Sequence, residues 1–242
     1  MLKFRVFSMA ILTACCIAFV GCNRAEQVLK PATEDPMVSE NAVFLEATTD
    51  LTAVAVGEEI KIDLKIAGGL GVAGYAPLFV FDATALKYIN TTQGDYLPSG
   101  GIWMSPERSD TGDYEVRLTI GDSTTVGASV SFSPAPDVPA IFEFSVEEGL
   151  FKIPEQHVPP GLASASSEYW ALSILAGSPL GANTKPTPVD GDGTLATLTF
   201  EVIAAKPGLI HLLEPNLSNT DDAPLAATVQ NDMIIVNASE TP

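Results

Sequence analysis

An all-β sandwich is predicted by three features of the chain. Apolar and polar residues alternate with a period of two in segment after segment of 43–238. Glycine, proline, aspartate and asparagine interrupt that alternation at short intervals, and no helical period survives for three turns after residue 41. A period of two gives each strand one buried face and one wet face, the pattern of antiparallel strands stacked in two layers.

The strongest segment is 59–66, where Ile60, Ile62, Leu64 and Ile66 alternate with Glu59, Lys61, Asp63 and Lys65. In a second, Tyr114, Val116, Leu118 and Ile120 alternate with Glu115, Arg117 and Thr119. In a third, Ala196, Leu198, Phe200 and Val202 alternate with Thr197, Thr199 and Glu201. Shorter β-rich runs are expected at 43–47, 73–81, 85–91, 128–132, 140–146, 169–175, 208–213, 226–230 and 233–237.

The first 22 residues stand apart. Lys3 and Arg5 precede an apolar run from Val6 to Val20, which closes in Phe19-Val20-Gly21-Cys22. A charged start, a short apolar stretch and a small residue at the cut describe a secretory signal peptide rather than a spanning helix. The tetrapeptide resembles the lipobox of bacterial lipoproteins, with Phe19 where Leu is usual. That resemblance implies a signal peptide over 1–21, lipidation of Cys22, and a chain held to the cell envelope on its periplasmic or surface side. An ordinary signal peptide cleaved nearby is the alternative. Residues 22–42 are polar and proline-containing, suited to a flexible tether ahead of a single domain over 43–238.

The 242 residues carry 30 acidic and 12 basic side chains, a formal charge of −18. Without Lys3 and Arg5 the charge falls to −20. Nucleic acid is excluded as a partner, because binding to phosphate backbones needs clustered Lys and Arg. An anionic membrane surface is excluded as a direct ligand for the same reason, leaving the lipid anchor as the only membrane attachment. At 46% apolar and 17% charged, the chain has enough hydrophobic material for a sizeable core. Cys15 and Cys16 fall in the leader, so the processed chain keeps Cys22 alone. An intrachain disulfide, a thiolate nucleophile and a cysteine metal site are thereby excluded.

Two blocks of sequence go beyond periodicity. The first runs through Val56-Gly57-Glu58-Glu59-Ile60, then residues 71–82 (GVAGYAPLFVFD), Ala85-Leu86-Lys87-Tyr88 and Gly94-Asp95-Tyr96-Leu97. The second is residues 191–200 (GDGTLATLTF), followed by Lys206-Pro207-Gly208 and a closing strand through Ile234-Ile235-Val236. In order and spacing these blocks resemble the two ends of a cohesin module. The resemblance implies a nine-stranded jelly-roll β-sandwich of cohesin and cellulose-binding-module type. It also implies a noncatalytic role in holding or recognising partners of polysaccharide-degrading systems. The departure lies between the blocks: the 74 residues of 96–169 exceed what a compact cohesin needs, so an inserted β-rich segment is expected at about 98–168.

In dockerin-binding cohesins the solvent face of the strand matching 74–81 supplies polar contact residues. Carried onto this chain, Gly74, Ala76, Leu78 and Val80 face outward, and Tyr75, Phe79 and Phe81 face the core. Gly74 and Ala76 stand where the family has Asn and Asp. The outward stripe is therefore either a hydrophobic surface for a dockerin-like protein module or a face covered by the insertion. A second candidate set, Tyr96, Trp103, Tyr169 and Trp170, could stack on sugar rings as a direct polysaccharide-binding site, or could pack in the interior.

Metal and catalytic frames are weak. Asp190-Gly191-Asp192-Gly193-Thr194 with Glu201 imitates a calcium loop, but Leu195 occupies the position that needs glycine, and a Gly-rich turn entering a strand is expected instead. Asp221-Asp222 reads as a turn. The two histidines, His157 and His211, lie in no HExxH helix, and no Gly-x-Ser-x-Gly elbow occurs. No metal, cofactor or catalytic activity is expected; the expected role is that of an extracytoplasmic binding module.

Overall fold

The computed structural model describes residues 41–52, 54–108, 114–126, 150–152, 168–181 and 185–240. Among these there is no helix; seventeen strands form two sheets. The architecture is the all-β sandwich expected from the alternation.

The larger sheet is built on two fourteen-residue strands, β2 (Glu59–Val72) and β12 (Val189–Val202), paired antiparallel. Their register places Ile60 opposite Phe200, Ile62 opposite Leu198 and Leu64 opposite Ala196, all wholly buried. One face of each strand is therefore core, and the charged residues of 59–66 fall on the other. β1 (Ala42–Ala47) flanks β2, and β5 (Leu86–Gln93) flanks β12, with Tyr88 opposite Phe200. Beyond β5 the sheet continues through β6 (Ile102–Arg108) to β11 (Leu175–Gly177), β3 (Gly74–Tyr75), β14 (Leu217–Ser218) and β15 (Pro224–Leu225); its other edge is β16 (Thr228–Gln230), parallel to β1.

The smaller sheet has the order β17–β13–β4–β10–β9, formed by Met233–Asn237, Pro207–Glu214, Leu78–Asp82, Tyr169–Ser173 and Leu150–Lys152. Its inner face supplies Phe79, Phe81, Leu172, Ile210, Leu212, Ile234 and Val236 to the same core. The sheets close along one side, where Leu45 N donates to the carbonyl of Asn231 at 3.1 Å and Ser239 N to that of Val54 at 3.0 Å.

The described residues between 98 and 168 extend both sheets. β6 pairs along its length with β7 (Tyr114–Ile120), which pairs in turn with β8 (Ser123–Val126), so a three-stranded flap grows from the larger sheet; β9 adds an edge to the smaller one. Strands expected at 128–132 and 140–146 lie outside the described residues. β6, β8 and β9 have no counterpart in the sequence expectation: β6 carries Pro106, whose carbonyl accepts from the buried Tyr88 hydroxyl at 2.8 Å.

Candidate interaction surface

β4 is the middle strand of the smaller sheet, hydrogen-bonded to β10 on one side and β13 on the other. Its alternation is that of the sequence: Phe79 and Phe81 enter the core, while Leu78, Val80 and Asp82 lie on the outer face. Register then assembles the rest of that face. Ala171 stands opposite Val80 and Tyr169 opposite Asp82 on β10. His211 stands opposite Val80 on β13, and on β17 Met233 and Ile235 face His211 and Leu209.

Val80, Tyr169, Ala171 and Leu209 form a second, separate apolar cluster, with Leu78 and Leu213 packed on it. Val80 is wholly buried although it points away from the core. The accessible apolar part of the face lies toward β17, where Met233 is 40% and Ile235 52% exposed. Sequence reasoning placed no contact on β17; the signal was present in the alternation of exposed Met233 and Ile235 with buried Ile234 and Val236.

Polar groups lie within and beside this surface, His211 standing between Val80 and Met233. His211 Nε2 lies 3.1 Å from Asp232 Oδ2, while Nδ1 is buried with no hydrogen-bond partner among the described residues. At the other end of β4, the buried Asp82 carboxylate accepts from Thr84 N at 2.9 Å and from the Thr84 hydroxyl at 2.5 Å, and Lys206 Nζ lies 3.2 Å from Oδ2. Lys206 also donates to the Thr84 hydroxyl.

The residues expected to form one stripe are divided between the sheets. Gly74 lies in β3 of the larger sheet, between β11 and β14, where a Cβ would meet Ser218 Oγ at 2.9 Å and the Ala176 carbonyl at 3.1 Å. Between it and Leu78 the chain changes sheets at Ala76-Pro77. Proline has no amide hydrogen to extend a ladder, and this break is held by Ala76 N donating to the Asn216 carbonyl at 2.9 Å and Ser173 Oγ to the Pro77 carbonyl at 3.1 Å. Leu78 and Val80 belong to the outer face of the smaller sheet; Gly74 and Ala76 do not.

The four aromatic candidates do not share a surface. Tyr96 and Trp103 are buried in the main core, Tyr169 in the outer cluster, and Trp170 packs half-buried against the main core with its indole N–H donating to Glu168 Oε1 at 2.7 Å. Tyr96 lies against Gly69 and Gly193 and donates to the Val189 carbonyl at 3.0 Å. Desolvation, with Asp190 and Asp192 nearby, pushes its hydroxyl up to about 12. Burial raises the Tyr75 hydroxyl further; it donates to the Leu195 carbonyl.

The Gly-rich segment 190–194 is not a turn entering a strand but part of β12 itself, paired with β2 through register shifts. Its carboxylates are turned to backbone amides: Asp190 Oδ1 accepts from Gly71 N at 2.6 Å and Asp192 Oδ1 from Gly68 N at 2.7 Å. Asp221 and Asp222 stand in a turn closed by Asn219 Oδ1, which accepts from Asp221 N at 2.9 Å and Ala223 N at 3.1 Å. Among the described residues no group of three or more His, Cys, Asp or Glu is placed to hold a metal. Cys22 and His157 lie outside the described residues.

No protein-family model matches the chain, and no curated protein does. Solved structures similar to it are cohesin modules. One is the sixth cohesin of scaffoldin B from Acetivibrio cellulolyticus, solved with a Cel5 dockerin: 12% identity, 83% of this chain and 99% of that one covered, TM-score 0.44. Another is the second type II cohesin module of the ScaA adaptor scaffoldin from the same organism, at 16% identity, 82% and 91% coverage and TM-score 0.46. A third is the cohesin module of a family 33 glycoside hydrolase from Clostridium perfringens, at 15%, 83% and 98%, with TM-score 0.41.

Proposed function

We propose that this chain is a noncatalytic, extracytoplasmic binding module that docks a dockerin-type or other protein partner in a polysaccharide-degradation or surface-assembly system. In this reading Cys22 carries the lipid that holds it to the cell envelope. The supporting observation is the outer face of the smaller sheet, an apolar surface on a sandwich whose core is already complete. Exposed Met233 and Ile235 lie beside the half-buried Leu78 and Leu213, with His211 between Met233 and Val80 and its Nε2 3.1 Å from Asp232 Oδ2. An accessible apolar patch on the outer face of a sheet is a surface that a protein partner can cover. A sugar platform instead needs exposed rings, and Tyr96, Trp103 and Tyr169 are buried.

The test is retention of a panel of recombinant dockerin modules, with calcium present, on the immobilised full chain. Ile235→Asp is expected to weaken capture by at least about tenfold, while Ile203→Asp, at an exposed site off this face, leaves it intact. If no dockerin is retained and insoluble polysaccharide instead holds the chain and releases it on Trp170→Ala, the carbohydrate reading replaces this one.

A further inference from the structure

One end of the outer face of the smaller sheet is acidic. On β13, Leu209, His211 and Leu213 lie outward and Ile210 and Leu212 enter the core, so strict alternation would send Glu214 inward. A bulge prevents this. The register passes from Leu212 opposite Phe79 to Glu214 opposite Leu78, with Leu213 as the extra residue. Directly opposed residues share a face, so Glu214 emerges beside the outward Leu78, where it is exposed.

Asp232 reaches the same end. Its carbonyl accepts from Leu212 N at 2.7 Å, two residues before Glu214, and its exposed carboxylate lies against the outward His211. Each acid adjoins an apolar residue of the face in the chain, Glu214 following Leu213 and Asp232 preceding Met233. Glu214 Oε2 is met by the Asn216 side-chain amide at 3.3 Å, and neither carboxylate has a lysine or arginine partner among the described residues. β4, β10, β13 and β17 contain no lysine or arginine, and Lys206, at the opposite end of β13, is joined to Asp82. On the β6–β7 flap, by contrast, Arg117 already neutralises Glu107.

Two carboxylates without a cation, beside accessible apolar surface, attract a basic group and repel an acidic one, and the excess of 30 acidic over 12 basic residues acts in the same sense. Lysine and arginine suit the site because their aliphatic stems cover apolar neighbours while the charged head stays in water. We infer that Glu214 and Asp232 set the specificity of this face, selecting a protein segment whose apolar side chains are flanked by lysine or arginine. The inference rests on the docking role proposed above and adds to it the chemistry of the partner.

The immobilised full chain is offered the dockerin panel and two helical peptides with the same leucine ridge, one flanked by lysines and the other by glutamates. Capture of the lysine peptide, and of dockerins with lysine or arginine beside their apolar contact residues, is expected in preference to the glutamate peptide. Glu214→Gln combined with Asp232→Asn should weaken that capture about fivefold or more and reduce its sensitivity to salt. Glu59→Gln combined with Asp222→Asn removes the same charge from exposed sites elsewhere and should leave capture intact. Should the first pair fail to fold, Glu214→Gln alone serves in its place. Capture lost on Ile235→Asp but equal for the two carboxylate pairs would overturn the inference and leave the docking role standing. Capture of neither peptide and no dockerin, or capture indifferent to Ile235→Asp, would overturn both.

Discussion

Phe81 and Phe200 meet edge to face between the two sheets, with ring centroids 5.2 Å apart and planes inclined by 61°. Phe81 comes from the middle strand of the smaller sheet and Phe200 from the spine of the larger one; Tyr88 meets Phe200 in the same manner at 5.8 Å. Aromatic pairs prefer this geometry because the positive edge of one ring meets the negative face of another. The contact joins the layers at their centre. Phe200→Ala should destabilise the fold by about 3–5 kcal/mol in urea titrations, through lost burial and a cavity shared by both sheets. A cost below about 1 kcal/mol would mean that the layers close without it.

Two glycines should behave oppositely on conversion to alanine. At Gly94 a Cβ would stand 2.0 Å from the Thr194 carbonyl oxygen, a backbone atom whose retreat would disturb the hydrogen bond it accepts from Tyr96 N at 3.0 Å. At Gly177 nothing lies within 4 Å. Gly94→Ala is expected to cost several kcal/mol and Gly177→Ala less than about 0.5 kcal/mol by thermal or urea unfolding. Similar losses at both sites would contradict the close approach of residue 94 to β12.

Alkaline stability should follow Tyr96. Its hydroxyl is raised above the ordinary tyrosine value to about 12, so the fold favours the protonated form. The stabilisation is complete below the unfolded value near 10 and is lost as pH climbs through the folded value. Unfolding free energy should therefore decline between about pH 10 and 12. Tyr96→Phe should flatten that decline while giving up the hydrogen bond to Val189. An unchanged slope in the variant would remove Tyr96 as a cause.

Two lysines test the value of burial in ion pairing. Lys206 reaches the buried Asp82, whereas Lys65 meets Glu46 at the surface. Lys206→Met leaves a buried carboxylate held by Thr84 without its cation and should cost about 1–3 kcal/mol. Lys65→Met should cost less than about 1 kcal/mol. Equal effects in urea unfolding would show Asp82 to be well solvated.

On the outer face of the smaller sheet, Val80 and Ile235 should separate folding from binding. Val80 is wholly buried, so Val80→Asp places a carboxylate in an apolar cluster and should abolish the cooperative melting transition. Ile235→Asp, at a half-exposed site, should melt within a few degrees of the parent. A stable Val80→Asp protein would mean that this cluster opens readily to water.

Period-two alternation determined which residues face inward. Ile60 to Ile66, Leu198 to Val202 and Phe79 with Phe81 all enter the core as their spacing requires, and 233–237 alternates as its apolar positions suggest. Alternation tells the face of a strand but not its neighbour, because pairing joins residues far apart in the chain. Tertiary structure therefore decided that 73–81 splits at Ala76-Pro77, sending Gly74 to one sheet and Leu78 to the other. It also decided that β6, interrupted by Pro106 and weakly patterned by itself, becomes a strand because β5, β7 and β11 lie beside it. The aromatics were legible as large apolar groups, but their burial depended on which layers closed over them. Likewise the acidic net charge was legible in the composition, while the apolar surfaces of this chain emerged only when strands distant in sequence were brought side by side.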